Sequence, residues 1–225
     1  MLLEEADVKK IMPFFIMLLF LLPLQSQEKE EEIEPKNETE SYQNVYTEIT
    51  LEDFETTEYS KDNIKFRKIR YQDANAQIRE QFPAPFNNSK KYLGVKVKGK
   101  LGDSFQVFLT KPLEINKYAQ SVSIWVYGKN FSGDLSFIVQ DAENNTHSLS
   151  LGKTNFLGWK KITVNLGKNI KQQDAFLEQE KTLKILYIQY KPANKSIHPQ
   201  WQYFYIDDIT ATVREKYKDS QSDDW

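Results

Sequence analysis

Between about Val45 and Arg214 apolar side chains recur at every second position, in runs of five to nine residues. This spacing leaves the chain little choice, because only a strand sends alternate residues to opposite faces. Leu93, Val95 and Val97 alternate with Lys96 and Lys98; Phe105, Val107 and Leu109 with Gln106; Val122, Ile124 and Val126 with Ser121 and Ser123. Each run has one dry face and one wet face. Similar runs cover Leu135 to Val139, Ser148 to Leu151, Trp159 to Leu166, Leu183 to Tyr190 and Trp201 to Val213, with earlier candidates at Ile49 to Phe54 and Ile64 to Tyr71. About ten short strands in some 170 residues, separated by turn signals such as Asp141-Ala142-Glu143-Asn144-Asn145, predict an all-β, jelly-roll-like two-sheet β-sandwich. Only Ile170 to Gln179 reads as a short helix, and no internal repeat suggests a propeller or solenoid.

Composition narrows the function. The 225 residues carry 30 Lys+Arg against 32 Asp+Glu, with no cysteine and only two histidines, His147 and His198. Near-neutral charge supplies no basic field for a phosphate backbone, so no nucleic-acid partner is expected. Lack of cysteine removes disulfides, thiolate zinc sites and a Cys nucleophile. Histidine chemistry has almost nothing to work with.

The chain divides into four parts. Residues 1–26 read as a secretory signal peptide: Lys9 and Lys10 precede a nearly unbroken apolar run from Ile11 to Leu24, too short for a membrane span and followed at once by polar residues. Cleavage after Ser26 gives an exported product without a mature membrane anchor. Residues 27–48 read as an acidic linker, with seven Glu against two Lys between Glu28 and Glu40 and too few apolar groups to offset chain entropy. Residues 49–214 form the sandwich, and residues 215–225 a polar C-terminal tail.

Some faces that should be wet carry large rings. In the run around Ile124 the aliphatic residues take one face, leaving Trp125 and Tyr127 on the other; in the last run Trp201, Tyr203 and Tyr205 alternate with Phe204 and Ile206. Such rings serve a protein contact or a sugar platform, or form a second small core under covering loops. Two acidic clusters, Asp53 with Glu55 and Asp207 with Asp208, stand at opposite ends of the domain. First and last strands of a jelly roll commonly pair, which would bring Asp53, Glu55 and Asp207 together as hard oxygen ligands for a structural calcium ion, against the simpler reading of solvated strand ends. No other cofactor is expected. A glycosidase pair needs its acid and base across a cleft, and no phosphate loop, zinc signature or nucleophile elbow is present, so the chain does not read as an enzyme.

Four stretches in order, Leu51-Glu52-Asp53-Phe54-Glu55, Trp125-Val126-Tyr127-Gly128-Lys129-Asn130-Phe131, Asn155-Phe156-Leu157-Gly158-Trp159-Lys160-Lys161 and Phe204-Tyr205-Ile206-Asp207-Asp208-Ile209, resemble the flagellar filament outer-layer (sheath) proteins of spirochaetes, the FlaA type. The resemblance extends over about Ile49 to Val213. Its first and last blocks are shared more widely with jelly-roll carbohydrate-binding modules. The resemblance implies a non-catalytic periplasmic protein that coats a flagellin core beside other sheath proteins and influences filament shape and motility. Residues expected near such contacts are Trp125, Tyr127, Trp159 and Lys160, then Trp201 and Tyr205. The alternative is a periplasmic carbohydrate-binding β-sandwich that stacks the same rings on a glycan.

Overall fold

The computed structural model describes residues 45–172 and 181–216. The alternating runs become eleven strands among these residues: β1 (Thr47–Glu52), β2 (Ile64–Phe66), β3 (Asp73–Arg79), β4 (Tyr92–Gly99), β5 (Phe105–Ile115), β6 (Tyr118–Lys129), β7 (Gly133–Gln140), β8 (Thr146–Lys153), β9 (Leu157–Asn165), β10 (Leu183–Pro192) and β11 (Gln200–Arg214). One sheet has the order β3-β4-β11-β6-β9 with β1 added beside β11; the other has the order β2-β5-β10-β7-β8. Every pair is antiparallel.

The core forms where the dry faces meet. Leu93, Val95, Val97, Val122, Ile124, Val126, Phe204 and Ile206 of the first sheet pack with Phe105, Val107, Leu135, Phe137, Ile185 and Ile188 of the second, all essentially without solvent exposure. Removing such side chains from water is the main favourable term in holding the sheets together. One polar link crosses this core: the Tyr190 hydroxyl donates to Gln202 Oε1 at 2.5 Å.

β11 organises the site. Its Gln200–Ile206 half pairs with β4 on one edge, and Ile209 to Val213 pair with β1 on the same edge, while β6 runs along the other. Between the two partners the register slips at Asp207-Asp208, and Asp208 adopts φ 40. A bulge of this kind re-aims side chains at a break in pairing. The first and last strands therefore do pair, as the sequence led one to expect.

Some expectations shift. β1 starts at Thr47, so Thr47 and Glu48, assigned by charge to the linker, pair with Val213 and Thr212. The strand expected over Ile64 to Tyr71 shrinks to Ile64–Phe66, and Ile69 to Gln72 form a turn closed by a 2.8 Å bond from Gln72 N–H to the Ile69 carbonyl. β3 follows where no strand was anticipated. The only helix among the described residues is a 3-10 turn at Lys61–Asn63. Of the expected helix from Ile170 to Gln179, the described start is non-helical: Gln172 is buried and bonds the Ala119 backbone N–H and carbonyl, both at 2.8 Å. The rest of that segment, the leader, the linker up to residue 44 and the tail from residue 217 lie outside the described residues.

Candidate functional site

The outer face of the first sheet is aromatic because the phase of the alternation demands it. Facing Val126 and Ile206 inward turns Trp125, Tyr127 and Tyr205 outward. Register then sets them in rows: Trp159 opposes Tyr127, and Tyr127 opposes Tyr205. Tyr127 meets Trp159 edge to face, with centroids 5.5 Å apart, and lies tilted against Tyr205 at 5.7 Å. Tyr92, from the start of β4, closes the group at 5.4 Å from Tyr205 and 5.7 Å from Trp159.

Trp125 lies one row further on, opposite Asp207 and Lys161, and is covered. Phe86 stacks on it at 3.8 Å and 16°, and meets Trp159 edge-on at 5.8 Å. The loop reading thus applies to one face of Trp125, which is half-buried like Tyr127, Trp159 and Tyr205; these last three line a groove of about 300 Å³. Arg79, Gln81, Phe82, Tyr92 and Lys129 complete its lining. Phe82 is 91% exposed and sits at φ 58, an uncommon conformation for a bulky residue.

The remaining expected contact residues lie elsewhere. Trp201 is four residues from Tyr205 on β11, about 13 Å along an extended strand. On the same face, it is joined to the groove through Tyr203: the Lys96 ammonium stands 4.0 Å above the Trp201 ring and 5.7 Å from Tyr203, with Lys98 5.9 Å from Trp201. Lys160 projects to the face opposite Trp159, and its ammonium stands 5.4 Å over Phe156. Its neighbour Lys161, which was not singled out, lies on the aromatic side and pairs with Glu48 at 2.8 Å. That bond, with one from the Thr210 hydroxyl, holds the Glu48 carboxyl below its usual range.

The acidic residues do converge, and they anchor the loop that carries Phe86. Ser89 donates its hydroxyl to Asp207 at 2.7 Å, Asn87 its amide to Asp208 at 2.6 Å, and the Lys90 and Lys91 N–H groups both reach Glu55 Oε1, at 2.6 and 3.0 Å. Asp53 accepts from the Glu55 N–H at 3.1 Å. Phe54 between them is a fully buried core residue at φ 60. Burial pushes the Asp207 carboxyl up to about 7 despite the Ser89 hydroxyl and the Asp208 N–H, and the charges of Asp208 and Glu55 add to the rise. Asp208 is raised for the same first reason, with Asp53 contributing. Burial also works against Glu55, but its two backbone donors prevail and hold it below the ordinary value. Among the described residues no three Asp, Glu or His side chains are grouped to hold a metal.

Sequence reasoning passed over Arg79, Phe82, Phe86, Tyr92 and Lys129. Tyr92 was legible, one position before the inward Leu93. Lys129 ends the alternating run of Trp125 and Tyr127, and Arg79, Phe82 and Phe86 stand in or beside a Gln- and Pro-rich stretch without clear periodicity, although Asn75, Gln77 and Arg79 alternate with Ala74, Ala76 and Ile78.

Fold and face together define a two-sheet antiparallel β-sandwich whose distinguishing surface is a ring-lined outer sheet face. The model of the family "flagellar filament outer layer protein" FlaA matches residues 63–219, and the chain belongs to that family. A flagellar filament outer layer-like protein of Brachyspira hyodysenteriae (strain ATCC 49526 / WA1) is 31% identical over 147 residues, covering 61% of this chain and 67% of that one. Among solved structures, the family 11 carbohydrate-binding module of the cellulase Lic26A-Cel5E of Clostridium thermocellum is similar, with a TM-score of 0.44, 12% identity and coverage of 77% and 98% of the two chains. TmCBM61 in complex with β-1,4-galactotriose is similar with a TM-score of 0.41, 18% identity and coverage of 72% and 94%.

Proposed function

We propose that this chain is a non-catalytic component of the outer layer of periplasmic flagellar filaments, exported and laid on a flagellin core beside other sheath proteins. Family membership carries this reading. The shape of the aromatic face supports it. A broad sheet face bearing half-buried rings suits a protein contact, and two exposed apolar side chains border it, Phe82 at 91% and Leu157 at 78%. Trp201, joined to the groove through Tyr203, lengthens this contact face along β11. Heterologous contacts between such subunits that do not close generate an open helical array, the symmetry a filament coat requires. By adding such a layer the chain would influence filament stiffness, shape and motility.

The test is to isolate periplasmic flagella from wild-type and deletion strains. The expected result is that the protein co-purifies with the flagella, and that its loss thins or reshapes the filament while the core persists. Flagella that lack the protein and are unchanged by its deletion would overturn the reading.

A second reading, a carbohydrate-binding module, is favoured by one observation, the groove floored by Tyr92, Tyr127, Trp159 and Tyr205. It requires glycan affinity in solution, independent of flagellin.

A further inference from the structure

We propose that the groove is a subsite for an anionic sugar, a pyranose ring bearing a carboxylate. This rests on the carbohydrate reading of the face, and holds whether or not the chain coats a filament.

Charge is the first ground. Arg79 and Lys129 line the groove and no Asp or Glu does. Neither cation belongs to an ion pair among the described residues. Lys129 extends over the floor, its ammonium 5.5 Å from the Tyr205 centroid and 5.7 Å from that of Tyr203. Arg79 is directed by a missing side chain. Gly94 stands opposite Tyr205 in the pairing of β4 with β11, and a Cβ there would fall 2.6 Å from Arg79 Cδ and 3.4 Å from Tyr205 Cδ1. The arginine stem thus crosses over a glycine of the neighbouring strand, and Arg79 lines the groove together with the rings. A planar guanidinium and an ammonium lining one groove are suited to a carboxylate.

The floor is the second ground. Four aromatic side chains lie there, and among the described residues no hydrogen bond engages the Tyr127 or Tyr205 hydroxyl or the Trp159 indole N–H. A lone Glu or Asp from a protein would satisfy a cation and leave these rings wet. A sugar ring lays its C–H face on aromatic carbon while its hydroxyls meet the phenols, the indole and the Gln81 amide. A groove of about 300 Å³ admits one or two such rings.

The experiment titrates the purified exported chain with trigalacturonate, with trigalactose as the neutral match and with a glutamate-rich peptide, following tryptophan emission and heat. Trigalacturonate should bind about 10- to 100-fold more tightly than the neutral sugar. Affinity should fall as NaCl rises from about 50 to about 500 mM. Arg79→Ala and Lys129→Ala should remove the preference for the acidic sugar, while Trp159→Ala weakens both sugars. Gly94→Ala should act like Arg79→Ala by displacing the stem, with Arg79→Lys restoring part of the preference in the otherwise native chain. Each variant is first shown to melt as a folded sandwich. Equal binding of the two sugars, a preference indifferent to Arg79 and Lys129, stronger binding of the peptide, or no sugar bound at millimolar concentration would each overturn the proposal. Binding to flagella before and after periodate oxidation locates the natural source: loss places the acidic sugar on the filament, and persistence places it on another periplasmic polymer, both with the preference for trigalacturonate intact. Co-purification with flagella depends on none of these results, so the coat reading stands or falls separately.

Discussion

Phe86 lies flat on Trp125, ring centroids 3.8 Å apart and planes inclined by 16°, although one ring belongs to a loop and the other to the middle of β6. The contact covers one face of an outward-facing strand residue, and the loop is fastened beside it by carboxylates at the break between β4 and β1. Phe86→Ala removes the cover and leaves the fastening. The expected outcome is a red shift of tryptophan emission, with a loss of about 1–2 kcal/mol from the stacked pair and the area it shields. In a domain of this size that is a fall in Tm of about 2–8 °C. Unchanged emission would mean that the ring does not shield Trp125 in solution.

Asp207 gives the fold a pH dependence of unusual sign. Its folded pKa of about 7 lies above the ordinary 3.8, so between these values the native state binds more protons than the unfolded chain. Stability attributable to this group is therefore fully present at the acidic end of the window and is lost as pH rises through about 7. Paired carboxylates such as Glu48 act in the opposite direction at lower pH, where protonation removes their stabilising bonds. Melting from pH 5.5 to 8 should show Tm falling with pH, by several degrees. Asp207→Asn should flatten that slope while retaining an acceptor for the Ser89 hydroxyl. An equally steep slope in the variant would assign the dependence to another group.

Calcium bears on the same residues. Ser89, Asn87 and the Lys90 and Lys91 N–H groups already occupy oxygens of Asp207, Asp208 and Glu55. A hard cation needs about six to eight oxygen ligands, which would mean breaking those loop bonds. Melting in excess EDTA and in millimolar CaCl₂ should accordingly give Tm values within about 1 °C of one another, the linkage for negligible binding. A rise of several degrees with calcium, abolished by Asp53→Asn, would establish the ion at the cluster.

How much of this was legible follows from the range over which each signal acts. Strand phase is local: once Val122, Ile124 and Val126 face inward, Trp125 and Tyr127 must face outward, and the structure keeps that placement. Pairing of the end strands was likewise accessible from the fold class. What joins Trp159 to Tyr127 and Tyr205 is register across three strands, which periodicity does not carry. Lys160 shows the cost of reading neighbours together, because adjacent strand residues face apart and it leaves the site that Trp159 enters. Arg79 was least accessible, since its course depends on the side chain absent from Gly94, on another strand.

The Tyr190–Gln202 bond tests how the two sheets are held in register. Tyr190 lies on β10 and Gln202 on β11; both are almost fully buried, and the hydroxyl donates across the core at 2.5 Å. Gly133 makes room for it, since a Cβ there would stand 2.1 Å from the Tyr190 hydroxyl oxygen. Tyr190→Phe keeps the ring against Phe204, 4.6 Å between centroids, and takes the donor away from Gln202 Oε1. That should cost about 1–3 kcal/mol, the penalty for a buried acceptor deprived of its partner. Gln202→Leu in the Tyr190→Phe background should recover much of the loss, because an apolar pair of similar shape leaves nothing unsatisfied. Gly133→Ala should cost more than either, about 3 kcal/mol or above, since methyl and phenol cannot share the space without moving a core ring. Urea melts of the single and double variants supply the cycle. Additive losses for Tyr190→Phe and Gln202→Leu would show that the two side chains are energetically independent, and that the apolar core alone sets the register between the sheets.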